Sequence, residues 1–148
     1  MRAGVHTIRD KNSKNELQAL LSSSVNKKIT RATLGSREDR SRLIKEQNRL
    51  IIYSVINSPK ITDDEIVAYA GNKNLSKEVP FLISTEIGFT KKYMVKVALV
   101  NNPNTPLLTS TKFLRHLTGK DLTKVANSKN VPKVLSKKAF KMLINKEK

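Results

Sequence analysis

The residues of this sequence best placed to do chemistry are lysines at one-turn spacing. Lys133, Lys137 and Lys141 stand at i, i+4 and i+8, so on a helix they share one stripe. Leu135, Ala139 and Leu143 each follow two positions later, roughly 200° around the axis. Such a helix packs with one face and offers ammonium groups with the other. Lys138 widens the stripe, and Lys129 carries it into the preceding turn. Lys120 and Lys124 form a second pair, Lys92 and Lys96 a third, and Arg42, Lys45 and Arg49 a row nearer the N-terminus. A single lysine row is usually only a solvated face. Solubility, however, is served by mixing signs, and like charges one turn apart cost a helix roughly 0.2–0.5 kcal/mol per pair. Several unpaired rows in one small protein therefore point to a polyanion that compensates them.

The charge balance agrees. The 148 residues carry 29 Lys+Arg against 12 Asp+Glu, a net charge of +17. Up to Asn74 there are 14 bases and 8 acids; after it, 15 bases and 4 acids. The expected partner is the backbone of DNA or of structured or ribosomal RNA, bound without base specificity, with affinity that falls steeply with salt. No zinc-finger spacing, basic zipper or aromatic sheet motif supports base reading. An acidic protein held by the same scaffold is the alternative. An anionic membrane surface ranks third, because the lysine-bearing helix commits its apolar face to the core.

Catalytic chemistry has little to work with. Cysteine is absent, which excludes disulfides, thiolate metal sites and cysteine nucleophiles. The histidines are only His6 and His116, far apart in the chain, so neither a triad nor a metal set forms. Asp63-Asp64-Glu65 reads as the acidic first turn of a helix rather than a cation site. Neither Leu34-Gly35-Ser36-Arg37 nor Gly119-Lys120-Asp121 is a phosphate loop. No catalytic residue, cofactor or metal is expected, and the chain reads as a binding module, not an enzyme. Residues Met1 to Ser13 lack an apolar core of signal-peptide length, and the run Leu50 to Tyr53 is far short of the roughly 20 apolar residues of a membrane span. The expectation is a cytoplasmic protein with no integral membrane association.

The elements that must position these cations are helices. Leu17, Leu20 and Leu21 fall at helical spacing, and Ile29, Ala32 and Thr33 continue it. Ser36 can cap a helix whose apolar side is Leu43 and Ile44, with Asp39 in its first turn. Leu50 to Ile56, though rich in β-branched residues, shows no alternation and reads as a buried helix. Thr62 with Glu65 is a capping box leading into Ile66, Val67, Tyr69 and Ala70. Ser76, Thr90 and Thr105 are the next expected caps, the last with Pro106 as first helical residue. The helix after Thr90 carries Tyr93, Val97, Ala98 and Val100, and that after Thr105 carries Leu107, Leu108, Phe113, Leu114 and Leu117. Gly119 breaks the chain, Lys120 to Ala126 forms a short helix, and Pro132 opens the last one. Tyr53, Tyr69 and Tyr93 lie at core-facing spacings. About ten short helices result, with a flexible N-terminus over 1–12 and one helical domain over 13–145.

Four hexamers recur between helices: Asn57-Ser58-Pro59-Lys60-Ile61-Thr62, Gly71-Asn72-Lys73-Asn74-Leu75-Ser76, Asn101-Asn102-Pro103-Asn104-Thr105-Pro106 and Asn127-Ser128-Lys129-Asn130-Val131-Pro132. Their asparagines suit the left-handed conformation that ends helices. Tyr53 to Thr62 aligns on Val97 to Pro106 at an offset of 44 residues, a spacing that suits paired-helix repeats. With these loops, the stretch from about Ile51 to Leu143 resembles bacterial leucine-rich-repeat-variant and HEAT-like repeats. From Thr30 onward the chain is similar to a group of uncharacterised bacterial helical-repeat proteins. The resemblance implies an all-α, right-handed superhelical solenoid of short helix pairs and no activity. HEAT-like repeats also include DNA glycosylases with a tryptophan-lined cleft; this chain has no tryptophan with which to build one.

Overall fold

The computed structural model describes residue 15 and residues 24–147. His6, the segment 1–12 and the Leu17, Leu20 and Leu21 spacing lie outside the described residues. Ten helices and no strand occur among those described: α1 (24–34), α2 (Arg37–Leu43), α3 (Arg49–Ile56), α4 (Asp63–Gly71), α5 (Glu78–Thr85), α6 (Ile87–Thr90), α7 (Tyr93–Asn101), α8 (Leu107–Leu114), α9 (Gly119–Asn127) and α10 (Lys133–Glu147).

Four helix starts follow from short polar side chains. The Ser36 hydroxyl accepts from Asp39 N–H while Asp39 returns a bond to Ser36 N–H. Thr62 and Glu65 make the same reciprocal pair at α4. Asn48 opens α3 and Thr118 opens α9. Each satisfies backbone donors that a helix start leaves free. Four expected starts differ. Thr90 does not cap α7: it ends the short helix α6 as a buried residue, and Lys92 occupies the N-cap without a side-chain bond to the helix start. Thr105 is buried one position before the N-cap, which is Pro106 itself, with its carbonyl accepting from Ser110 N–H. Gly119 is the first residue of α9, not the break; the chain turns at 115–118. Ser76 accepts from Glu78 N–H and so serves α5 from one position outside the N-cap.

The four hexamers fold alike, by a device other than the expected one. No described residue has positive φ, so no asparagine ends a helix in the left-handed region. Instead the second residue of each hexamer closes its turn twice. The N–H groups of Ser58, Asn72, Asn102 and Ser128 donate to Val55, Tyr69, Leu99 and Val125 three positions back. Their side-chain oxygens accept from the N–H two positions on, at Lys60, Asn74, Asn104 and Asn130. This is the turn that short polar side chains make by imitating backbone. The fifth residue points inward in every case: Ile61 is half-buried, and Leu75, Thr105 and Val131 are buried.

The loops also bind neighbouring helix ends and one another. The Ser58 hydroxyl donates to Thr33 C=O, Asn102 Nδ2 to Ala70 C=O at 2.8 Å, and Asn104 Nδ2 to Lys73 C=O. Helix neighbours run in a regular order: α2 with α3, α4 with α5, α7 with α8 and α9 with α10, with further packing of α3 on α5, α4 on α7, α7 on α9 and α8 on α10. One apolar core joins them, from Ala32 through Ile52, Val55, Ile83, Leu99, Leu114 and Leu122 to Leu135 and Ala139. Leu107 and Leu108 are not in it. They open α8 on the solvent side, Leu108 at 86% exposure, while Phe113, Leu114 and Leu117 from later turns supply the packing. Tyr53 likewise faces solvent; Tyr69 is buried and Tyr93 half-buried.

Candidate nucleic-acid interface

The cations divide into two populations. Over residues 24–92 most acids are spent on nearby bases. Arg40, buried, forks onto Glu65, also buried: Nη2 donates to Oε1 at 2.8 Å and Nε to Oε2 at 3.1 Å. Arg40 Nη1 also donates to Gly35 C=O, and Thr62 N–H donates to Glu65 Oε2. Burial pushes the Glu65 carboxyl up, but the Arg40 fork and the Thr62 N–H outweigh it, so the group titrates below its ordinary range. The Glu65 hydrogen bonds in turn hold Arg40 above its ordinary value. This pair ties the α1–α2 turn to the start of α4. Around it, Lys28 meets Glu46 and Arg42 meets Glu38, each at 2.7 Å, and Lys92 meets Asp63. Arg49 Nε lies 3.4 Å from Glu78 Oε2, with its guanidinium 5.9 Å from the Phe81 ring centre.

Beyond Lys92 the arrangement changes. Residues 93–145 hold ten Lys and Arg and one acid, Asp121. Asp121 is taken: its Oδ2 accepts from the Tyr93 hydroxyl and the Thr118 hydroxyl at the start of α9. No ion pair occurs over this stretch among the described residues. Lys120, Lys124, Lys129, Lys133, Lys137, Lys138 and Lys141 are all exposed, and all belong to α9, α10 or the loop between them.

The expected rows therefore fare differently. The α10 stripe stands as the spacing implied: Lys133, Lys137 and Lys141 face solvent while Leu135 and Ala139 are buried and Met142 and Leu143 half-buried. The packing of α9 against α10 puts Lys120, Lys124 and Lys129 on the same helix pair. The N-terminal row does not hold as an unpaired row, because Arg42 and Arg49 each have an acid and only Lys45 faces solvent without one among the described residues. In the third row Lys92 is bound to Asp63 and Lys96 is half-buried. Asp63, read from the sequence as part of an acidic first turn, also neutralises Lys92, and Glu38 and Glu78 neutralise Arg42 and Arg49.

The outer face of α10 differs from expectation in one more way. It is not purely cationic. Val134, Phe140 and Ile144 are exposed among the lysines. A shallow groove of about 270 Å³ runs beside Ala126 of α9 and Ser136, Lys137, Phe140 and Lys141 of α10. A second, of about 360 Å³, is lined by Val134, Lys137, Lys138 and Lys141. The premise that α10 has no apolar surface to spare is thus corrected. Helical spacing could have shown it, since Phe140 and Ile144 fall within about 40° of Lys133 on a helical wheel. The Arg40–Glu65 pair, by contrast, had no local signal: the partners are 25 residues apart.

No cluster of three or more potential metal ligands occurs among the described residues, and His116 is exposed beside Arg115. No described helix is long and apolar enough to cross a membrane. The chain matches no protein-family model, no curated protein and no solved structure.

Proposed function

We propose that this protein is a non-catalytic binding module that holds the backbone of nucleic acid on the α9–α10 helix pair. The observation that carries the reading is the unshared charge of residues 93–145: ten cations, one acid already engaged, and no ion pair among the described residues. Phosphates are the compensating groups such a surface takes, each contact releasing a counterion. The same reading takes the helix pairs and their four like-folded loops as stacked repeats of a right-handed solenoid, which would hold the lysines on a rigid surface.

The test is binding to a generic duplex and to a structured RNA across salt concentrations. Affinity is expected to fall steeply as salt rises, and triple charge reversal at Lys133, Lys137 and Lys141 to abolish it with unchanged helicity by circular dichroism. Undetectable binding at low salt overturns the proposal. A nucleic-acid-free preparation that instead captures one acidic protein, lost in the same variant, transfers the surface to a protein partner.

A further inference from the structure

The mixture of lysine and apolar side chains on α10 says more about the ligand than charge does. We infer that Phe140 is a stacking platform for an unpaired base, so that the α9–α10 surface prefers single-stranded nucleic acid. The inference rests on the nucleic-acid reading above and adds to it the class of strand.

Phe140 is 58% exposed, against 51% for Tyr53, 41% for Phe81 and full or partial burial for the other described aromatic rings. Its surroundings differ from those of Phe81. Phe81 lies under Arg49, and Arg49 is paired with Glu78, so that aromatic–cation site is closed on itself. Phe140 lines a groove with Lys137 and Lys141, whose ammonium groups have no acid partner among the described residues. Small residues, Ala126 and Ser136, complete the lining and leave room beside the ring. An exposed ring between free cations is the arrangement by which sequence-tolerant proteins hold single strands: the cations track phosphates and the ring takes a base face. A duplex keeps its bases stacked on one another and can use only the lysines.

A lipid surface fits less well. Interfacial helices segregate a broad apolar face from a cationic one. Here the apolar face proper, Leu135 and Ala139, is buried in the core, and Val134, Phe140 and Ile144 are interleaved with Lys133, Lys137 and Lys141 instead of forming a band.

The experiment is fluorescence anisotropy of the full chain with an oligothymidylate single strand, a duplex of equal length, and an abasic strand carrying the same phosphates. The wild type is expected to bind the oligothymidylate more tightly than the abasic strand. Phe140→Ala should weaken oligothymidylate binding about tenfold, leave duplex and abasic binding unchanged, and be rescued by Phe140→Tyr. Circular dichroism melting checks that each variant folds. If duplex and single strand both bind with a steep salt dependence but Phe140→Ala alters neither, or alters both equally, the stacking inference fails while the backbone reading survives. If no nucleic acid binds at low salt, both fail. If Phe140→Ala instead abolishes binding to vesicles of phosphatidylglycerol and phosphatidylcholine, with oligonucleotide binding untouched, lipid replaces the base as occupant.

Discussion

The segment from α1 to the start of α7 and the segment from α7 to α10 share one core, one loop device and one helical style, yet they treat charge in opposite ways. The first holds thirteen bases and eight acids over residues 24–92 and contains all six ion pairs found among the described residues. Over residues 93–145 the second holds ten bases and a single acid, Asp121, that is bound to Tyr93 and Thr118. The difference separates cations engaged in ion pairs within the fold from cations that have no acid partner among the described residues. Arg40 is the clearest of the first kind: its guanidinium is buried, forked onto a buried carboxylate, and tied to Gly35. Lys137 is the clearest of the second, an exposed residue of α10 with no acid partner among the described residues.

The largest test of this division is Glu65→Ala. It leaves Arg40 buried without its carboxylate, and the expected loss is about 3–5 kcal/mol in denaturant unfolding. A loss below about 1 kcal/mol would mean that the pair is not desolvated as its geometry implies. The pH dependence has a definite sign. The folded Glu65 carboxyl titrates below its ordinary value, so its contribution is fully present above about 4.3, the usual glutamate value, and is lost as pH falls through the lower folded value. Glu65→Gln should flatten that acid limb of the stability curve.

Leu99→Ala is next, at about 2–5 kcal/mol. Leu99 is fully buried on α7, where the two segments meet in the core. Unfolding should remain a single transition at a lower midpoint. Two separated transitions would show that the segments are independent units, and the comparison between them would lose its shared frame.

Thr105→Val examines the loops. In the fifth position of the hexamers, Ile61, Leu75 and Val131 are aliphatic, and Thr105 alone brings a buried hydroxyl, which has no hydrogen-bond partner. An unpaired buried polar group costs about 1–3 kcal/mol, so valine should stabilise by about 1 kcal/mol after relaxation, read as a raised melting temperature. A loss of stability would remove the equivalence of the four loops.

The smallest effect on stability is the most direct on the contrast. Lys137→Gln and Arg42→Gln should each change stability by no more than about 0.5 kcal/mol. On nucleic acid they should part: Lys137→Gln lowers the log–log salt slope by about 1, whereas Arg42→Gln, already neutralised by Glu38, leaves it unchanged. Equal effects would erase the distinction between paired and free cations.

Much of this was legible along the chain because it is local. The Thr62–Glu65 capping box, the Ser36 cap, the helical state of 50–56 and the α10 stripe all depend on residues within a turn or two, and each stands in the structure. The recurrence of the hexamers is visible too, although its mechanism differs from the expected one: asparagine or serine closes these turns with its side-chain oxygen and not with a left-handed backbone. Thr90 and Thr105 failed as caps because a hydroxyl at a plausible spacing competes with burial, and both were drawn into the interior.

By itself, then, the sequence determined the helices, the turns between them and the excess of cations after Lys92, since propensity, capping and composition act over a few residues. Which cations remain available was decided only by tertiary structure. Charge pairing acts between side chains brought together from distant positions, as Arg40 and Glu65 are, and no local pattern records that meeting. The same holds for Phe140: its spacing allowed either burial or exposure, and the packing of α9 against α10, which buries Leu122, Val125, Leu135 and Ala139, left the ring outside.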